Sequence, residues 1–176
     1  GINFDILCGL PNQTRETFQT TIKKVVELSP DRISLFYLTF APQYAKHQLL
    51  MPIDKFPSSH EKKIMFLDAS DLLLKAGYVK TGYDHFAKPT DAVAIAQEKK
   101  TMIYNAIGSS PGRYFNILGL GVHSYSTLGN YYAQNVYEID KYFEQIPNGH
   151  FPIFRGYKLG PDDMIRRRVI QTLRMY

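Results

Sequence analysis

The chain has 176 residues, of which 44% are hydrophobic and 21% charged, a composition typical of a soluble globular protein large enough to bury a core. It has no run of about 18 apolar residues, so we expect neither a membrane span nor a membrane partner. The net charge of +5 suits nucleic acid or a small polyanionic substrate. The single cysteine, Cys8, excludes an internal disulfide and predicts a cytoplasmic location.

The first forty residues carry the pattern of a strand, a helix and a second strand. Residues 2–8 alternate in hydrophobicity and stop at Gly-Leu-Pro, which predicts a buried strand. Thr14 is placed to cap a helix that the Ser-Pro-Asp segment at 29–31 ends. Residues 32–40 are apolar on both faces, as in a parallel strand covered by helices. We therefore expect two neighbouring parallel strands joined by this helix. The apolar face of the helix is predicted to consist of Phe18, Ile22, Val25 and Val26.

A second helix and a third strand follow an irregular segment that contains three prolines. Ser58 and Glu61 form a capping box for the helix, and Gly77 is its predicted terminating residue. Residues 78–87 are predicted as one strand, and it ends in the segment Gly-Tyr-Asp-His-Phe-Ala. A short helix is expected after it.

The sequence of the second half of the chain predicts short strands followed by helices. Residues 108–135 are rich in Gly, Ser and Tyr, which favours strands and tight turns. Asn135 and Glu138 are expected to cap one helix, and residues 160–163 to begin the last one. The apolar face of that last helix is predicted to carry Ile165, Val169 and Leu173, and its solvated face Arg166, Arg167 and Arg168.

Several polar residues stand where ligands bind in α/β proteins. Asp5 interrupts an apolar strand, which indicates either a ligand at the strand end or a carboxylate that caps a loop. Asp84 and His85 form either an acid–base pair or a structural pair that closes a strand end. The Gly-Leu-Gly-Val-His-Ser segment at 119–124 lacks the glycine spacing of a phosphate loop. No acidic or cysteine residues stand at metal-ligand spacing, so no metal site is predicted.

Six segments occur in a single order along the chain: INFDILCGLPNQT, SPDRISLF, GYDHFAKP, LGLGV, YYAQN and FRGYKLGPDDMIRRRVI. Together they resemble the oxygen-independent coproporphyrinogen III oxidases, which are radical S-adenosylmethionine enzymes of haem synthesis. The resemblance implies an α/β fold. Residues 1–130 would form the second half of a partial (β/α) barrel with its flanking strands, and residues 131–176 the start of a mostly helical C-terminal domain.

The same resemblance implies a cofactor set and a reaction for the intact enzyme. A [4Fe–4S] cluster and S-adenosylmethionine would generate a radical that converts propionate side chains of a porphyrinogen to vinyl groups. The resemblance places Asp5, Leu7, Phe36, Thr39 and Tyr125 at S-adenosylmethionine, and it makes Asp84 and His85 candidates for catalysis beside the active site. One cysteine cannot supply the cluster's thiolates. The cluster would therefore belong to a missing N-terminal half of the same protein, and the fragment alone is expected to be inactive.

Two segments depart from the family pattern on the expected substrate side. Residues 104–112 have Ala106 and Ile107 where an aromatic and an amide are expected, and residues 123–125 read His-Ser-Tyr instead of Ser-Ala-Ile. The alternatives are therefore a related radical methyltransferase, a haem-trafficking protein, or a non-enzymatic haem-binding module with His85 or His123 as axial ligand. A nucleic-acid partner is not expected, because the basic residues are scattered and no binding motif occurs.

Overall fold

A computed structural model describes residues 1–105, 108–112 and 115–175. The chain divides into two compact units, Gly1–Ile95 and Ala96–Tyr176. The mixed α/β class is confirmed, while the partial barrel and the domain boundary at residue 130 stay predictions. The strands of the described residues are β1 (Asn3–Cys8), β2 (Arg32–Tyr37), β3 (Val79–Lys80), β4 (His85–Ala87), β5 (Met102–Asn105), β6 (Gly108–Pro111), β7 (Tyr125–Leu128), β8 (Tyr131–Asn135) and β9 (Ile153–Lys158). The helices are α1 (Arg15–Leu28), α2 (Ser59–Lys75), α3 (Ala92–Glu98), α4 (Ile139–Gln145) and α5 (Pro161–Met175), with short 3₁₀ turns at Lys46–Leu50 and Ile53–Lys55.

The first unit contains a four-stranded sheet in the order β1-β2-β4-β3. Strands β1 and β2 are parallel, with Asn3 opposite Arg32 and Cys8 opposite Tyr37, and α1 connects them. This confirms the predicted strand–helix–strand unit. Strand β4 runs antiparallel to both β2 and β3.

The ends of α1 and α2 follow the predicted capping rules. The Thr14 side chain accepts a hydrogen bond from the Thr17 N–H, and Ser29 ends α1 in the left-handed conformation at φ 53°. Ser58 and Glu61 form the predicted capping box of α2. Gly77 follows that helix at φ +90°, a backbone conformation that residues other than glycine rarely adopt.

One face of this sheet packs against α1 and α2 and forms the core of the unit. The core includes the fully buried Phe18, Ile22, Leu35 and Phe86, and Cys8 lies among them. The predicted apolar face of α1 is confirmed for Phe18, Ile22 and Val25, which are buried, while Val26 packs partly against the core. Burial of these side chains is the main force that holds the sheet and helices together.

Two predictions about the strands of this unit are wrong. The chain between residues 78 and 87 is two strands joined by a turn, because Gly82 adopts φ +110° and the Thr81 N–H bonds back to the His85 carbonyl at 2.8 Å. Strand β1 is half exposed rather than buried. Among the described residues it pairs with a strand, β2, on one side only, and Ile2 before it is 63% exposed.

The second unit contains the antiparallel pair β5–β6, a three-stranded antiparallel sheet in the order β7-β8-β9, and the helices α4 and α5. Asn135 does not cap α4 as predicted. It belongs to β8, and its side-chain amide donates to the Gly121 carbonyl at 2.9 Å, so the tertiary fold uses it to hold the glycine segment. Glu138 stands at the N-cap of α4 without a side-chain capping bond.

Helix α5 begins at Pro161, and the Asp163 carboxylate accepts from the Gly160 N–H at 2.9 Å. Its predicted apolar residues, Ile165, Val169 and Leu173, are each more than half exposed. None of the helices formed by the described residues is long and apolar enough to cross a bilayer.

Candidate functional site

The sheet of the first unit has a second face, turned away from α1 and α2, which we call the open face. Side chains alternate along a strand, so residues that pair in register share a face. Asp5 pairs with Ser34, Leu7 with Phe36, and Ser34 with His85. The open face therefore carries Asn3, Asp5 and Leu7 of β1, Arg32, Ser34 and Phe36 of β2, and His85 of β4.

Asp5 lies exposed in the middle of β1. Its Oδ1 accepts a hydrogen bond from the Asn3 amide at 2.7 Å, and Asn3 Oδ1 accepts from the Ser34 hydroxyl at 3.3 Å. Ser34 is buried, so this chain of hydrogen bonds connects the exposed carboxylate to the interior of the sheet. Asn3 and Ser34 thus orient Asp5, and sequence reasoning missed both. The signal for Ser34 was a single polar residue within an apolar strand.

Leu7 and Phe36 form an apolar patch next to Asp5 on the open face. Leu7 is 42% exposed and Phe36 is partly buried. An exposed leucine beside an aromatic ring and one carboxylate provides surface for a flat, apolar group attached to a polar or positively charged one. The structure therefore brings together three of the residues that the family resemblance assigns to S-adenosylmethionine.

Thr39 lies exposed just beyond the end of β2, the same edge at which β1 ends. Two glutamines brace the segments at this edge. Gln13 Oε1 accepts from the Gly9 N–H at 2.6 Å, and its amide donates to the Leu7 carbonyl at 3.2 Å. Gln48 makes the same pair of contacts after β2, accepting from the Ala41 N–H at 2.6 Å and donating to the Thr39 carbonyl at 3.0 Å. These contacts stabilise the two loops that border the open face, and sequence reasoning did not identify them.

Asp84 and His85 form a direct pair at the start of β4. Asp84 Oδ1 and His85 Nδ1 share a hydrogen bond of 2.6 Å, and both side chains are largely shielded from solvent. The Asp84 carbonyl accepts from the Leu35 N–H at 2.8 Å, and the His85 ring contacts the Phe36 ring edge-on at 5.7 Å between centroids. The pair therefore lies at the strand end, and it places an imidazole beside the Leu7–Phe36 patch.

Tyr125 belongs to the second unit, where it begins β7. Its ring lies 6.0 Å from that of His123, which in turn lies 4.4 Å from the ring of Tyr137. Tyr137 contacts Phe154 edge-on at 5.0 Å. His123 and Tyr125, which stand where the family pattern has serine and isoleucine, thus form a partly exposed aromatic cluster with Tyr137 and Phe154. Ala106 and Ile107, the other predicted departures, lie outside the described residues.

Cys8 is buried on the helix face of the sheet, opposite the open face. Burial raises the pKa of the Cys8 thiol to about 11, and the nearby Lys62 ammonium offsets only part of this shift. Metal-binding thiols need the opposite shift, since the thiolate is the ligand. Within residues 1–105, 108–112 and 115–175, no three His, Cys, Asp or Glu side chains gather as a metal site. This donor set does not fit an iron–sulfur cluster.

The raised pKa predicts slow chemistry at Cys8. At pH 8 the thiolate fraction in the native chain is about a hundredfold below that of a thiol with its ordinary pKa. Labelling by a disulfide reagent at pH 8 is therefore expected to be at least about tenfold slower in the folded chain than in urea. The rate should rise between pH 9 and 11, as the raised pKa requires. Equal rates in the folded and unfolded chain would contradict the assigned burial.

The curated proteins and the solved structure that are similar to this chain have the same enzyme name. No protein-family model matches the chain. Curated proteins named oxygen-independent coproporphyrinogen III oxidase are similar to it: those of Synechocystis, Pseudomonas aeruginosa and Escherichia coli are 39%, 38% and 37% identical over 97–98% of the chain. The solved Escherichia coli coproporphyrinogen III oxidase, described as a radical SAM enzyme, matches with a TM-score of 0.91 at 36% identity over 98% of the chain. The chain spans 37% of the length of these curated relatives and 40% of the solved structure.

Proposed function

We propose that this chain, which is homologous over nearly its whole length to one part of the oxygen-independent coproporphyrinogen III oxidases, forms an S-adenosylmethionine-binding part of such an enzyme. In this proposal residues 1–130 complete a partial (β/α) barrel, and residues 131–176 begin a C-terminal domain. The enzyme would convert propionate side chains of a porphyrinogen to vinyl groups.

The observation that carries the proposal is the arrangement of Asp5, Leu7 and Phe36 on the open face. The family resemblance assigns all three to S-adenosylmethionine, and the strand register makes Leu7 and Phe36 direct neighbours with Asp5 two residues away on the same face. In parallel α/β sheets, ligands bind at the carboxyl ends of the strands. The loops at this edge are braced by Gln13 and Gln48, which supports a preformed site.

Each residue of the open face has a role that follows from its chemistry. When bound, S-adenosylmethionine would supply the radical chemistry of the proposed reaction. Leu7 and Phe36 cover the adenosyl group and exclude water from it. The Asp5 carboxylate attracts the cationic ligand, and Asn3 holds it in place at 2.7 Å. Asp84 holds His85 against Phe36, where the imidazole can exchange a proton with a substrate carboxylate.

The cluster itself would be held outside this chain. The one cysteine lies in the core with a raised pKa, so the thiolates must come from the part of the protein that the relatives have and this chain does not span. Thr39, in the loop after β2, adds to the proposed cofactor set, and the family resemblance also assigns Tyr125 to S-adenosylmethionine.

A chimera tests this proposal. The 176-residue chain replaces the matched 171 residues of the Escherichia coli enzyme, and the purified protein is assayed anaerobically with reduced cluster. We expect 5′-deoxyadenosine release, measured by mass spectrometry, together with formation of the vinyl product from coproporphyrinogen III. A folded chimera with an intact cluster that releases no 5′-deoxyadenosine would disprove the cofactor role of this chain.

The aromatic cluster of the second unit favours a second candidate. His123 and Tyr125 present ring surface where the family pattern has smaller residues, and the cluster continues to Tyr137 and Phe154. This supports a relative that cleaves S-adenosylmethionine but acts poorly on coproporphyrinogen. The same assay separates the two, because this relative would release 5′-deoxyadenosine with little decarboxylated product.

A further inference from the structure

The second unit contains a groove with a volume of about 850 Å³, within the range of small-molecule sites. One wall is a single face of the β7-β8-β9 sheet, since residues that pair in register share a face. The paired residues on this face form two rows across the sheet: Tyr125, Gln134 and Arg155, and Thr127, Tyr132 and Tyr157. Helix α5 forms another wall with Arg166, Arg167, Ile170 and Gln171.

The sheet face of the groove contains buried polar atoms that lack partners. Gln134 is 2% exposed, and its Oε1 accepts from Arg155 Nε at 2.8 Å and from the Tyr137 hydroxyl at 3.3 Å. These two hydrogen bonds fix the orientation of the Gln134 amide group, because both use Oε1 as the acceptor and leave Nε2 as a donor. Among the described residues Gln134 Nε2 has no hydrogen-bond acceptor, and the Thr127 hydroxyl likewise has no partner. A buried unpaired donor costs about 1–3 kcal/mol, so folded proteins rarely keep one unless something else satisfies it.

Positive charge lines the same groove. Arg155 and Arg167 form no ion pair with any carboxylate in the described part of the chain. The carboxylate that lines the groove, Asp163, already accepts hydrogen bonds from the Gly160 N–H at 2.9 Å and the Tyr157 hydroxyl at 3.0 Å. An unpaired guanidinium beside an unpaired amide donor is a typical carboxylate-binding arrangement, because guanidinium and carboxylate match in charge and geometry.

Aromatic rings complete the walls of the groove. Tyr104, Tyr125, Tyr132 and Tyr157 all line it. Such rings provide flat apolar surface with polar edges, which suits a planar ring more than a small inorganic anion. The groove therefore combines carboxylate recognition at Gln134 and Arg155 with apolar surface for a planar ring.

We propose that this groove binds a carboxylate-bearing planar ring compound, with Arg155 and Gln134 Nε2 as the donors to one carboxylate. The identity of the ligand rests on the proposed function, under which the fitting occupant is a tetrapyrrole whose planar pyrrole rings carry propionates. The groove would be a binding site for this class of molecule within the second unit.

The test is a titration of the full 176-residue chain with coproporphyrin III, the air-stable oxidised counterpart of the proposed substrate, followed by porphyrin fluorescence. We expect saturable binding at one site per chain. Arg155→Gln should raise the dissociation constant about tenfold, because hydrogen bonds to charged groups are among the stronger ones. Gln134→Leu should raise the dissociation constant by a similar factor. Circular dichroism checks that this variant still folds, because Gln134 is buried.

Arg168→Gln is the matched control, because Arg168 is exposed on the same helix and does not line the groove. It removes the same charge and should leave the affinity within about twofold, as a surface change outside the site does. An absence of binding, an unchanged affinity in Arg155→Gln, or an equal loss in Arg168→Gln would overturn the groove proposal. An active chimera combined with any of these results would leave the proposed function intact. Arg155-dependent binding with an inactive chimera would support the groove alone.

Discussion

Asp5→Asn in the chimera is expected to lower the kcat/KM of S-adenosylmethionine cleavage by about 10- to 100-fold, the usual effect of losing a hydrogen bond or ion pair to a charged group. The substitution keeps the size of the side chain and removes its charge. Asparagine can still accept the hydrogen bond that Asn3 now donates to Asp5 at 2.7 Å, so the strand should stay in place. The cofactor dissociation constant and 5′-deoxyadenosine release are the two measurements.

The control for this prediction is Asp71→Asn. Asp71 is an exposed acid on α2 that pairs with Lys75 at 2.6 Å, and α2 packs on the opposite face of the sheet from Asp5. Exposed pairs of this kind contribute little to stability, so the control should retain normal cleavage. Equal activity of the two variants would remove Asp5 from the proposed cofactor site.

Leu35→Ala is expected to lower the free energy of unfolding of the first unit by about 2–5 kcal/mol. Leu35 is 0% exposed in the central strand β2, where it packs with Phe86 and the buried residues of α1 and α2. Removing its side chain loses apolar burial and leaves a cavity that the surrounding strands cannot fill. Urea unfolding, followed by hydrogen exchange of the β2 amides, reports on this unit separately.

Leu67→Ala provides the matched comparison, because Leu67 is 52% exposed on α2. The same substitution there should change the unfolding free energy by less than about 0.5 kcal/mol, as surface replacements usually do. Similar losses in the two variants would mean that Leu35 does not lie in the core as described.

The open face shows how far the sequence reached and where it stopped. The residue type of Asp5 indicated a possible ligand site, and the family resemblance added Leu7 and Phe36, but their adjacency depends on the register of β1 against β2. A shift of one residue would turn each side chain to the opposite face. Ser34, Gln13 and Gln48 were missed for a related reason, since their importance comes from contacts with backbone groups and side chains that only the folded chain brings near.

Local signals in the sequence determined much of the secondary structure. The Thr14 cap, the Ser58–Glu61 capping box and the Gly77 terminus are all present as predicted, because capping involves residues three or four positions apart. The strand–helix–strand unit of the first forty residues followed from periodicity and from the preference of such connections for parallel strands.

Tertiary structure decided the features that depend on distant partners. It divided residues 78–87 into two strands around Gly82, and it used Asn135 to hold Gly121 rather than to cap α4. It also placed Gln134 and Arg155 opposite each other in β8 and β9, 21 positions apart in a sequence that gives no sign of their contact. Hydrophobic periodicity and capping are properties of neighbouring residues and can be read from the chain itself. Strand register and buried polar contacts depend on which distant segments pack together, and that choice is made by the fold as a whole.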